Sequence, residues 1–178
     1  MKLLETVLDN QPAVRQIALC VGVSNDQTIE TISLLVPVLA RGLQINTQTS
    51  AGLNALLGAL NRGSHQRYIA EPSSLAAKST IDDGNAILSH ILSIKDVSRN
   101  LAAYAARQTS IGSHRIKKML PLVASLTMAT LSRETERADS TAPLGGTTES
   151  VLTSLLVTDN QGSIADDLLG MAGKVFTP

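Results

Sequence analysis

The chain has 178 residues, enough for one substantial core or two small packed units. It is 43% hydrophobic but only 2% aromatic, which argues against a ring-lined carbohydrate pocket or a stacked nucleic-acid platform and implies a core of Leu, Ile, Val and Ala. Fifteen acids balance fifteen bases, so a strong global polycation is excluded while a local basic patch is not.

Lys2–Leu8 is predicted to be a short helix with Leu3, Leu4, Val7 and Leu8 on one face. Asp9-Asn10-Gln11 breaks it, and Pro12 suits the first turn of a second helix. That helix runs to about Val21, and Gly22 ends it. Cys20 lies among Ile17, Ala18, Leu19 and Val21 and reads as a core thiol. As the only cysteine it forms no intrachain disulfide, which fits a reducing compartment. Ser24 with Gln27 reads as a capping box. The helix it opens carries Ile29, Ile32, Leu35, Val36 and Leu39 past Pro37 and is expected to close near Arg41-Gly42. Asn46–Ser50 is a turn, and Gly52–Leu60 a helix with Leu53, Leu56, Leu57 and Leu60 inward.

Residues 61–68 are polar and read as a loop entering a short helical turn. Glu71-Pro72-Ser73-Ser74 starts a small helix through Ala77, and Asp82-Asp83-Gly84-Asn85 is a predicted turn. Asp96 is placed to cap a helix over Val97–Gln108, and Thr109–Gly112 turns the chain into Ser113–Leu131. There Ile116, Met119, Leu120, Val123, Leu126 and Thr127 recur at helical spacing, giving one broad apolar face. Pro121 interrupts the stretch, and a mid-helix proline removes a hydrogen bond and clashes with the carbonyl four residues back. A long helix bent just before Pro121 is expected.

The two proline helices repeat. A displacement of 84 positions sets Pro37 on Pro121, Ile32 on Ile116, Leu35 on Met119, Val36 on Leu120 and Leu39 on Val123. The same displacement pairs Leu3, Leu4, Val7 and Leu8 with Ile87, Leu88, Ile91 and Leu92, and Arg15 with Arg99. The expected fold is therefore all-α: a multi-helical bundle of two degenerate copies, about 1–60 and 85–131, each with a proline-bent long helix. Residues 1–131 form the duplicated core. Residues 132–148, rich in charge, Pro and Gly, read as a flexible linker, and 149–178 as a C-terminal helical segment. Within that segment Ser163 with Asp166 resembles a capping box, and Ile164, Leu168, Met171 and Val175 give an apolar stripe.

Several motifs resemble the bacterial YidB-like family, known as domain of unknown function 937. They are Gly84-Asn85-Ala86-Ile87-Leu88-Ser89-His90-Ile91-Leu92, Lys95-Asp96-Val97-Ser98-Arg99 and Lys117-Lys118-Met119-Leu120-Pro121. Pro37, Gly42, Gly52-Leu53, Leu56-Leu57 and Gly63 fit upstream, and Asp159 to Gly170 is similar to the family's tail. The resemblance spans nearly the whole chain. Ser89, Ser93 and Leu92 depart from the expected glycines and phenylalanine, and Asn160 and Gln161 make the tail less acidic. The resemblance implies an all-helical fold and no established activity or catalytic residues.

The residues themselves assemble no catalytic set. Counting from Asp159, the twelfth position is Gly170 where an EF-hand needs Glu, so Asp159, Ser163, Asp166 and Asp167 read as turn and helix-cap residues. His65, His90 and His114 are not spaced as zinc ligands. No nucleophile elbow, phosphate loop or dinucleotide fingerprint occurs in the sequence. The better lead is basic: His114, Arg115, Lys117 and Lys118 follow Arg107 with no acid between 107 and 118. These four are the candidate contacts for a phosphate or an acidic partner.

The expected function is a non-enzymatic helical module that self-associates or binds a protein partner, with no cofactor or metal. A weak, sequence-independent nucleic-acid-associated protein is the first alternative. A small enzyme whose site meets only in the fold is the second. The start MKLLETVLDN lacks the pattern of a signal peptide, and no stretch reads as a membrane span, so the expected location is the cytoplasm.

Overall fold

A computed structural model describes residues 2–92, 95–141 and 148–156. Among these residues the structure is helical throughout, without strands. The helices are α1 (Lys2–Asp9), α2 (Gln11–Val21), α3 (Asn25–Asn46), α4 (Ser50–Arg62) and the single turn α5 (Arg67–Ala70). A 3-10 turn over Pro72–Ala76 leads to α6 (Lys78–Leu92), α7 (Lys95–Gln108), α8 (Ser113–Thr141) and α9 (Thr148–Leu156).

Local chemistry sets the element ends. Pro12 sits in the first turn of α2. Gly22 closes that helix in the left-handed region at φ 74°, which a residue with a Cβ rarely adopts, and its N–H donates to the Ala18 carbonyl. The predicted capping box is present: the Gln27 N–H donates to Ser24 Oγ, and the Ser24 N–H donates to Gln27 Oε1, each at 3.1 Å. Thr49 caps α4 by accepting from the Gly52 N–H at 3.1 Å.

Helix α8 runs through the middle. It packs against α1, α2, α3, α4, α5, α6, α7 and α9. Every residue from Met119 to Ser132 is buried, so the helix is enclosed on all sides rather than along one face. Its hydroxyls solve their own burial. Thr127 donates to the Val123 carbonyl at 2.7 Å and Thr130 to the Leu126 carbonyl at 2.9 Å. Ser125 reaches across to the Thr80 carbonyl of α6 at 3.3 Å.

Four expectations about where elements begin and end need correction. Helix α3 does not close at Arg41-Gly42 but continues to Asn46, with Gly42 buried. Gly84 is not in a turn; it lies inside α6, buried where α6 meets α8. Its α-carbon faces the Pro121 backbone so closely that an added Cβ would collide with the Pro121 carbonyl. Helix α7 begins at Lys95, so Asp96 lies in its first turn rather than ahead of it. Residues 132–141, read as part of a linker, continue α8, with Ser132 and Thr135 buried. Residues 142–147 lie outside the described residues, as does the segment 157–178. Leu152, Leu155 and Leu156 of α9 belong to the same core cluster as Leu3, Leu39 and Leu131.

Pro37 and Pro121 each lie inside a continuous helix. By length and composition α3 is also apolar enough to cross a membrane. Here ten of its residues, including Ile32, Leu35 and Leu39, are buried in the protein.

Two glycine substitutions should act in opposite directions. Gly84→Ala drives a methyl into backbone that has no room to yield, and should destabilise by about 1–3 kcal/mol. In α4, a methyl at Gly58 meets only the far end of the Arg62 side chain, at 3.0 Å, rather than backbone. Gly58→Ala should therefore stabilise by about 0.5–1 kcal/mol through helix propensity. Urea unfolding of both variants reads the signs.

Candidate functional site: a basic-rimmed groove

The N-terminal half of α8 leaves the core at Ser113–Lys118, and here the basic cluster emerges. Ile116 points inward and is fully buried, so its neighbours in the turn point out. His114, Arg115, Lys117 and Lys118 are all exposed.

The four residues are not equivalent. Arg115 donates from Nη1 to the Gly22 carbonyl at 2.8 Å, tying the start of α8 to the end of α2. It serves as a brace between two walls. His114, Lys117 and Lys118 instead line a groove of about 580 Å³ between α2, the 3-10 turn, α6 and α8. Leu75, Ile81, Pro121 and Leu122 supply its apolar lining, and Asn85 a neutral polar group. Ile81 is 41% exposed, so its side chain is available at the groove surface. No carboxylate occurs among the described lining residues. Lysine stems can lie along such apolar walls while their ammonium groups stay hydrated.

Cys20 belongs to this groove too, and is exposed rather than a core thiol. The helical register explains the difference. Ile17, Ala18 and Val21 are buried, which turns Leu19 and Cys20 outward; Leu19 is 76% exposed. The groove thus brings Cys20 and His114 to one surface. The Cys20 Sγ is contacted by the Gln16 amide at 3.7 Å, a weak acceptor interaction.

A second cluster escaped the sequence reading. Tyr68, fully buried, donates from its hydroxyl to Asp83 Oδ2 at 2.6 Å. Arg67 donates from Nη2 to the same oxygen at 3.0 Å and to the Tyr68 oxygen at 2.9 Å, and its guanidinium lies 4.9 Å from the tyrosine ring centroid. Burial, then the hydrogen bond to Asp83, pushes the Tyr68 phenol up, so it stays protonated and donates. His65 stands beside this knot with its pKa lowered by burial. The knot fastens α5 to α6 at the edge of the core. The signal available in sequence was one of only two tyrosines, flanked by His65 and Arg67 in a segment otherwise read as loop.

His90 is exposed and lines a different groove, so the three histidines do not converge on one site. Among the described residues no group of three or more His, Cys, Asp or Glu is placed to hold a metal ion. The acidic turn at Asp159–Asp167 lies outside the described residues.

Stability should separate brace from rim. Arg115→Ala should cost about 1 kcal/mol, the net worth of its hydrogen bond. Lys118→Ala should stay within about 0.5 kcal/mol of the parent, as an exposed side chain does. Acid should also weaken the fold. Because the folded His65 resists protonation, stability is full above the unfolded histidine value and declines as pH falls through it toward the lower folded value. His65→Gln should flatten that part of the pH–stability curve in thermal melts.

No curated protein and no solved structure matches the chain. A family model described as bacterial protein of unknown function (DUF937) matches residues 3–134, from the first turn of α1 into the last third of α8. That match covers α2, α6, the part of α8 that lines the groove and all four basic residues, and the chain belongs to this family.

Proposed function

We propose that this chain is a non-enzymatic helical module whose groove at the start of α8 holds an acidic, amphipathic protein segment. The observation that carries this reading is the pairing of an aliphatic lining with a cationic rim: Leu75, Ile81, Pro121 and Leu122 beside His114, Lys117 and Lys118. Such a surface suits a helix with leucines on one face and carboxylates at its flank. The apolar contacts supply affinity, and the lysines supply orientation and association rate. A second copy of the chain is the other protein occupant this reading admits.

We further propose that the scaffold under the groove is a duplicated helical unit, bent at its prolines. The element order supports this: α1, α2 and α3 correspond to α6, α7 and α8 at the 84-residue displacement. Buried positions correspond as well. Ile32 and Ile116, Leu35 and Met119, and Leu39 and Val123 are all fully buried. Superposition of 1–60 on 85–131 should align Pro37 with Pro121 and bring both helix axes into register. Prolines that fall a helical turn apart would refute the duplication.

The binding reading is tested by fluorescence anisotropy with an amphipathic Leu/Glu helical peptide and a scrambled control. Lys117→Glu with Lys118→Glu should weaken binding about tenfold, equivalent to about 1.4 kcal/mol. The scrambled peptide should not bind. Single- and double-stranded DNA and RNA are titrated in parallel at low and physiological salt. Binding to every nucleic acid alike, falling steeply with salt, with none to the peptide, would replace this reading with the phosphate-binding one.

A further inference from the structure

A separate groove of about 470 Å³ opens between α3, α4 and α6, away from the basic rim. Leu43, Leu56, Ala59, Ile87, Ile91 and Met128 line it. Arg62 and His90 also stand in its lining, and no carboxylate occurs among the described lining residues. Ala59 and Ile87 are only partly buried although they pack on the core. Asn46 steadies one wall, donating from Nδ2 to the His90 carbonyl at 2.7 Å.

The chain itself carries a segment whose sequence matches this lining. Helix α9 lies on α3 and α8, and Leu156, its last residue, lines a smaller cleft of about 220 Å³ with Gln44, Thr47 and Leu53. Thr47 lines both that cleft and the larger groove, so the described chain reaches Leu156 close to it, ahead of residues 157–178. Those residues carry Ile164, Leu168, Met171 and Val175 at helical spacing, with Asp166 and Asp167 between them. Residues 157–163 can span up to about 23 Å when extended, ample for a neighbouring groove. The apolar stripe matches the aliphatic lining, and the two aspartates match Arg62.

We propose that the segment 157–178 docks through its Ile164/Leu168/Met171 stripe into the α3–α4–α6 groove of the same chain. Docking covers Ala59 and Ile87 and sets Asp166 or Asp167 toward Arg62. This occupant is independent of the basic-rimmed groove, which lies at the other end of the buried stretch of α8.

Paramagnetic broadening in the full-length chain tests the assignment. A nitroxide is attached at Ala172→Cys in a Cys20→Ser background, and amide signals are recorded in the oxidised and reduced states. Signals of Ala55, Ala59, Ile87 and His90 should lose most of their intensity, while those of Lys117 and Lys118 keep theirs. Adding Leu168→Asp and Met171→Asp should restore the lost intensity. A mixture of spin-labelled protein with isotope-labelled, nitroxide-free protein should show no loss. Loss in that mixture would assign the groove to a second copy and overturn docking within one chain. Undiminished signals at Ala59 and Ile87, or broadening centred on Lys117 and Lys118, would overturn the proposal outright.

Discussion

The fold depends on the enclosure of one helix. From Met119 to Ser132 α8 has no face toward water, so each polar group on it must be satisfied within the protein. Threonines at 127 and 130 do this locally, by returning their hydroxyls to carbonyls four residues back. The cost of such a bond is small beside that of a buried hydroxyl without a partner. Pro121 adds a carbonyl-side problem, because a helix loses one amide donor there. At that point α6 presents Gly84, and the two backbones approach more closely than any residue with a side chain permits. Gly84 therefore sets the close spacing of α6 and α8 at this point.

Enclosure of the middle of α8 leaves its ends to meet solvent. At the N-terminal end the helix emerges with alternating duties in a single turn. Ile116 faces the core, Arg115 braces Gly22, and His114, Lys117 and Lys118 are left for the groove. A run of basic residues that looks uniform in sequence is thus divided by helical register into a structural part and an available part. The Arg67–Tyr68–Asp83 knot, by comparison, fastens α5 to α6. Its acceptor oxygen, Asp83 Oδ2, receives two donors, from Arg67 and Tyr68.

The helices, the capping box at Ser24, the left-handed close at Gly22 and the inward stripe of α3 were legible, because each rests on local chemistry or on a period of 3.6 residues. Gly84 was not. Asp-Asp-Gly-Asn has the composition of a turn, and only the approach of a distant backbone makes glycine a helix-interior requirement. Cys20 was misplaced because an apolar neighbourhood in sequence is not a face of a helix; Leu19 and Cys20 both fall on the outer side. Residues 132–141 looked too polar to be held, yet Ser132 and Thr135 suffice to continue the buried side of α8 while Glu136 and Arg137 point to water. The basic residues were legible as a cluster. Their aliphatic floor was not, since Leu75, Ile81 and Leu122 come from three elements that only tertiary packing joins.

The chemistry of the floor also bears on the class of ligand. A groove of about 580 Å³ falls within the range of small-molecule sites, so volume alone does not discriminate. Small-molecule sites hold their ligands by a few polar groups that converge from fixed positions. Here the charged groups are two lysines on flexible stems, beside His114 on the same exposed helix face, with Asn85 of α6 as a neutral polar group. Such groups recognise a distribution of negative charge rather than one placed atom. The aliphatic lining likewise offers area without directional contacts, because dispersion and water release depend on area more than on angle. A partner that supplies both extended apolar area and diffuse negative charge meets those terms, and an acidic amphipathic helix is the simplest polypeptide that does.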